Sequence, residues 1–154
     1  MPEAVHIRPA LTAERELLRS LQTRASLNNP GDRDALLQHP DAIDVPLEQI
    51  EAGQVFVAET AGTIVGFAAV LPRADGNAEL DALFVEPECW RRGIGRVLVG
   101  HALEVARAQG AEALHVIGNR HAEAFYRSSG FETMGTFKTR FGDGLLMRRL
   151  LPPG

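Results

Sequence analysis

The segment Trp90-Arg91-Arg92-Gly93-Ile94-Gly95-Arg96 carries the chemistry that is easiest to read from residue types alone. Glycines let the main chain come close to a ligand, and the helical pattern that starts here leaves its first N–H groups without intrahelical partners. With the positive end of the helix dipole and three arginines, the turn suits an anion such as a pyrophosphate. Two rival phosphate patterns fail. No Lys-Ser/Thr pair follows the glycines, as a P-loop needs, and a dinucleotide fingerprint would require a third glycine where Leu98 stands. By itself the turn also reads as a glycine-rich helix start with solvated arginines.

Upstream, Glu79 and Asp81 sit two positions apart in an alternating stretch, a spacing that a regular strand projects from one face. The pair reads either as a proton acceptor or simply as the polar side of a half-exposed strand. Cys89 is the lone cysteine, which excludes an intrachain disulfide and a Cys-based zinc cage. His6, His39, His101, His115 and His121 show no metal-ligand spacing, so no metal site is expected.

The elements that must position these residues follow from periodicity. Val5–Pro9 reads as a first strand, and a helix runs from Thr12 with Leu17, Leu18, Leu21 and Ala25 on its apolar face. Asn28–Asp32 reads as a loop, followed by a short helix over Asp34–Gln38 and an irregular stretch with Pro40 and Pro46. Val55–Glu59 and Thr63–Leu71 form a hairpin about Ala61-Gly62, and Glu79–Val85 continues the meander. After the glycine turn comes a helix with Ile94, Val97, Leu98, Ala102 and Val105 as its stripe, stopped by Gly110. Leu114–Ile117 is a buried strand, Asn119 caps a helix ending at Gly130, and Phe131–Lys138 and Leu145–Leu151 are final strands joined across Phe141–Gly144. The fold class is α/β (α+β): a mixed, mostly antiparallel sheet of about six to seven strands with helices on both faces.

A second motif gives the turn its meaning. Asn119-Arg120-His121-Ala122-Glu123-Ala124-Phe125-Tyr126-Arg127-Ser128-Ser129-Gly130-Phe131 has the form N-x-x-A-x-x-F-Y-x-x-x-G-F. With Val85-Glu86-Pro87 before the Arg-Arg-Gly-Ile-Gly turn, it is similar to the GCN5-related N-acetyltransferase (GNAT) family, closely over Glu79–Phe131 and loosely elsewhere. The resemblance implies one domain over residues 1–154 that transfers an acetyl group from acetyl-CoA to a primary amine by direct attack in a ternary complex. It implies that the backbone of Leu83, Phe84 and Val85 pairs with the pantetheine arm, and that Arg91, Arg92, Gly93, Ile94, Gly95 and Arg96 hold the pyrophosphate. Asn119 would bond the pantetheine or cap its helix, and Tyr126 takes the family's thiol-protonating position. Glu79 lies where histone-type members place a glutamate base, with Asp81 beside it. Some ribosomal-protein acetyltransferases of the family place a glutamate where Leu114 stands, which counts against that subtype. Trp90 departs from the usual Gln/Arg and is expected to alter packing at the adenosine end.

The bulk numbers fit one ordinary domain: 154 residues, 45% hydrophobic, 23% charged, net charge −4. There is no Lys/Arg cluster for nucleic acid and no basic patch for a membrane surface, and the first residues lack a signal-peptide pattern, so a cytoplasmic location is expected. Asp32, Asp34, Asp41, Asp44 and Glu48 crowd the segment expected to wall the acceptor, which favours a small cationic amine. Acceptor specificity is expected from Ser26–Pro46 and Thr139–Leu145. A protein lysine or N-terminal acetyltransferase, or a non-catalytic acyl-CoA sensor, is the alternative; oligomeric state stays open, and a homodimer is allowed.

Overall fold

The computed structural model describes residues 4–39, 41, 43–139 and 142–152. Seven strands form one sheet in the order β1-β2-β3-β4-β5-β7-β6: β1 (His6–Pro9), β2 (Val55–Thr60), β3 (Thr63–Pro72), β4 (Ala78–Val85), β5 (Ala113–Gly118), β6 (Glu132–Thr139) and β7 (Gly142–Leu150). Every neighbouring pair is antiparallel except β4–β5. The helices are α1 (Arg15–Asn28), α2 (Pro30–Gln38), α3 (Leu47–Glu51), α4 (Ile94–Ala108) and α5 (Glu123–Ser128).

The sheet divides the core in two. On one face α4 and α5 cover Leu80, Leu114, Val116 and Met147, through Leu98, Ala102 and Tyr126. On the other, Leu18 and Leu21 of α1 and Ile50 of α3 meet Val55, Val57, Phe67 and Ala69. Spacings of three and four residues put Leu18, Leu21 and Ala25 on the inner stripe of α1, while Leu17, one position round, is 46% exposed. In α4 the same geometry leaves Val97 outside and buries Val99 and Leu103.

Three expectations are corrected. The turn-forming run at Asn28–Asp32 is not a loop: only Asn29 is extended, and α2 starts at Pro30, whose missing N–H costs a helix nothing at its first position. The closing loop is shorter than the glycines suggest, since Gly142 to Gly144 already pair with β6; Arg140 and Phe141 lie outside the described residues. Most consequential, β4 is not regular. Ala82 faces Ala69 while Leu80 faces Val70, so Asp81 is an extra residue bulged out of the ladder. Leu80 consequently packs beneath α4, while Ala82 and Phe84 pack on the α1 side.

β4 and β5 pair at only two positions, Ala78 with Leu114 and Glu79 with His115, and then fork. The root of the fork is clasped by Asn77, whose Oδ1 accepts N–H bonds from Glu112 (2.9 Å) and Ala113 (3.2 Å). Asn77→Ala leaves the exposed Glu112 N–H to water and strands the part-buried Ala113 N–H, and is expected to cost about 1 kcal/mol, whereas Asn77→Asp, which keeps the acceptor, costs less. Urea unfolding with unchanged m-values is the check.

Candidate active site

The fork sets the site's backbone. The Glu86 N–H donates to the Val65 carbonyl of β3 at 2.8 Å. Main-chain groups alternate sides along a strand, so those of Phe84 also face β3, and those of Leu83 and Val85 point into the gap that β5 has vacated. Phe84 instead offers its ring to the α1-side core, 5.6 Å from the Phe67 ring centroid. Of the three residues expected at the pantetheine, two therefore turn main-chain groups toward the gap, and of these the Val85 carbonyl is already bonded from within the chain. Arg24 of α1 holds the end of β4 by a two-pronged pair to Glu86, 2.9 Å at both contacts.

Trp90 does something its sequence position did not reveal. Its indole Nε1–H donates to the Val85 carbonyl at 2.8 Å, so the ring folds back against the end of β4 and ties the turn to the strand. An indole can donate and a short aliphatic residue cannot, but only the fold places that donor under this carbonyl.

Beyond Trp90 the chain makes a tight left-handed passage. Arg91 has φ 67° and Gly93 φ 81°; a non-glycine residue pays strain there, a feature that clusters at ligand sites. Gly93 is the N-cap of α4, and the first N–H to bond back is that of Val97, 3.1 Å from the Gly93 carbonyl. Donors before it are left for a ligand. Ile94 buries its side chain and anchors the turn, while Arg91 and Arg92 are exposed and Arg96 reaches Ser128 Oγ at 3.2 Å. A Cβ at Gly95 would lie 3.1 Å from Phe125, so the bare position lets α5 dock on α4.

On the other arm, Asn119 Oδ1 accepts from the Ala122 N–H at 2.9 Å, capping the 120–122 turn that leads into α5. Tyr126 is buried, with ring centroids of Phe125 and Phe131 at 5.2 and 5.5 Å, and its ring lies so close to Gly118 that a Cβ there would meet it at 3.2 Å. The phenol thus stands against the end of β5, across the fork from Val85. Leu114 is fully buried beneath α4 and cannot substitute for a base.

The two carboxylates remain neighbours despite the bulge. Desolvation raises the Glu79 pKa, the Asp81 charge raises it further, and Arg73, 3.7 Å away, pulls it down. The Asp81 carboxyl is also pushed up by desolvation although the residue is exposed on its outer side, and Gln49 of α3, which hydrogen-bonds it, opposes the rise. His115, the cross-strand partner of Glu79, is held below its ordinary value by desolvation, Arg73 and Arg148, against Asp75. It buries an Nε2 without a hydrogen-bond partner. Arg73 lay in the sequence as one arginine among many; its reach to both Asp75 (3.2 Å) and Glu79 comes from the β3–β4 turn. Of the expected acidic wall, Asp44 is paired with Arg15 at 3.6 Å. Cys89 is buried, His101 stacks edge-on against Phe56, and no group of metal ligands occurs among the described residues. No described helix is long and apolar enough to cross a membrane.

Known proteins resemble this chain in sequence and in fold. The rat (Rattus norvegicus) N-acetyltransferase family 8 member 3 is 34% identical over 113 residues, 67% of this chain and 50% of that protein, so the chain spans about half the length of that relative. The PaiA N-acetyltransferase of Thermoplasma acidophilum, solved with coenzyme A, superposes with TM-score 0.76 over 96% of this chain and 99% of its own at 19% identity. The ribosomal-protein-alanine N-acetyltransferase of Brucella melitensis gives TM-score 0.71 over 95% and 99% at 28% identity. Residues 17–131 match the acetyltransferase (GNAT) family, which with the forked strands and the glycine turn places this chain in that family.

Proposed function

We propose that the chain transfers an acetyl group from acetyl-CoA to a small cationic primary amine, by direct attack while both are bound. The observation that carries the reading is the fork itself. It exposes the strand edge of Leu83 and Val85 between a helix start with free N–H groups and a buried tyrosine, with two carboxylates on β4 near its root. Pantetheine pairs with that edge, the turn from Arg91 to Arg96 takes the pyrophosphate, and the Val85 N–H faces the thioester carbonyl as charge develops on it. Glu79, assisted by Asp81, takes the proton that the ammonium must lose, directly or through water. Tyr126 returns a proton to the departing thiolate; a phenol of pKa about 10 can do so in a preorganised site. Protein N-terminal acetylation is the second reading. The Brucella neighbour favours it, and the core leucine at position 114 disfavours it.

Acetyl-CoA and CoA are expected to raise the melting temperature, since a ligand bound only by the folded state stabilises it by mass action. Gly93→Val, which forces a branched side chain onto φ 81°, should abolish that shift in a folded protein. No shift at millimolar ligand in the parent chain would sink the proposal.

Tyr126→Phe is expected to lower kcat by about tenfold or more with little change in KM for acetyl-CoA, the pattern of a group acting only in the transition state. An unchanged kcat in steady-state assays reduces Tyr126 to a packing residue.

Glu79→Gln separates base from bystander in two ways. Activity should fall most at low pH and recover as the amine deprotonates unaided. Stability should move oppositely. Because the folded-state pKa is raised, the unfolded chain loses its proton first as pH rises, and the folded state is penalised above that window. Glu79→Gln therefore melts higher than the parent near neutral pH, and the gap narrows as pH falls through the usual carboxylate range. A parent-like pH–rate profile removes Glu79 from the mechanism.

A further inference from the structure

The two faces of the fork have different tasks. α4 and α5 occupy one face, so the turn that starts α4 opens there and the acyl donor is delivered from that side. The other face carries Glu79 and is where an acceptor must approach. Cross-strand partners share a face, which allows that surface to be mapped across the strands. Glu79 partners His115; two residues further along β5, Ile117 partners Leu146 of β7; and on β6, Phe137 partners Gly144. Glycines 135 and 144 leave the floor between these side chains bare. The Ile117 methyl leans so far over Gly144 that a Cβ there would sit 2.7 Å from it. Ile117 and Phe137 are 41% and 48% exposed, although each is flanked by well-formed sheet. The result is an apolar trough about 10 Å across, from β5 to β6, starting beside the carboxylates.

We propose, building on the acetyltransferase reading above, that the acceptor is an amphipathic monoamine. Its ammonium is drawn to Glu79 and Asp81, and its aliphatic or aromatic body lies along Ile117, Leu146 and Phe137. Among the described residues, charge complementarity lies at the carboxylate end, because on the adjoining row Arg148 and Glu132 pair with each other at 3.3 Å. A second cation on the acceptor, as in a diamine, would lie over Ile117 and Phe137 and lose hydration without gaining a partner. An apolar body there releases water from both surfaces. The trough thereby narrows the small cationic amine to a class that carries one charge and a hydrophobic arm.

The experiment is a chain-length series with acetyl-CoA, from propylamine to hexylamine, with 2-phenylethylamine and 1,4-diaminobutane. kcat/KM should climb about two- to fourfold per added methylene, as expected for burial of a CH2 group. Hexylamine should exceed 1,4-diaminobutane by more than tenfold, and Phe137→Ser or Ile117→Ser should flatten the series. In parallel, hexylamine is titrated into the CoA-bound protein while the Ile117 methyl signals are followed by NMR. They are expected to shift, and Phe137→Ser should require about tenfold more amine. A flat series, a preference for the diamine, or unmoved Ile117 methyls overturns the inference. So does concentration-dependent dimerisation abolished by Phe137→Ser, which would assign the trough to a second copy of the chain. Failure of every amine to turn over, with the Ile117 methyls still titrating, would count against the acetyltransferase reading and leave the trough's ligand class standing.

Discussion

The structure depends on a pairing that is broken off early. β4 and β5 are adjacent and parallel, yet they share only two cross-strand positions before they separate. Buried main-chain donors and acceptors demand partners, so a free strand edge inside a fold has to be met by something other than the sheet. Part of the demand is met internally, by the Trp90 indole on the Val85 carbonyl and by the Asn77 side chain at the root. The remainder is an extended edge, which an amide-bearing chain such as pantetheine can complete. The bulge at Asp81 belongs to the same device, since it reverses which side chains face which layer just where the strands part.

Around that gap the helices divide the labour by face. α4 and α5 are locked together through Gly95 and Phe125, and they bring a left-handed turn and a buried tyrosine to opposite sides of the fork. α1 is tied to the end of β4 through Arg24 and Glu86, and α2 packs beside the 120–122 turn, so this pair frames the side on which the proposed acceptor would approach. The site also holds what a stability-optimised fold would remove. A non-glycine residue sits at positive φ, two carboxylates are partly desolvated beside each other, and a histidine nitrogen is buried without a partner. Each costs folding free energy, and their concentration around the fork is the usual mark of a working site.

Much of this was legible in the residues. Two motifs at a fixed separation, the glycine turn and the N-x-x-A-x-x-F-Y segment, were enough for the family, because both are local: a helix start and a helix cap are built from consecutive residues. The number and order of strands followed from alternation and turn residues for the same reason. Where the reading failed, a contact distant in sequence had intervened. Pro30 to Asp32 look like a turn and form a helix because α2 has α1 to pack against; Leu17 and Val97 look like core and are exposed because neighbouring residues on each helix face the sheet.

The sequence by itself therefore determined the glycine turn that opens α4, the donor side in the reading proposed above. A phosphate-binding turn needs only main-chain N–H groups, glycine and a helix dipole, all specified within seven consecutive residues. The proposed acceptor side was decided by tertiary structure. Arg73 and Glu79, and Ile117 and Phe137, are ordinary residues in sequence, and they become an ion pair and a trough only through the register of β4, β5, β7 and β6. A change of one residue in that register would turn each strand's side chains to the opposite face, and no local pattern encodes it.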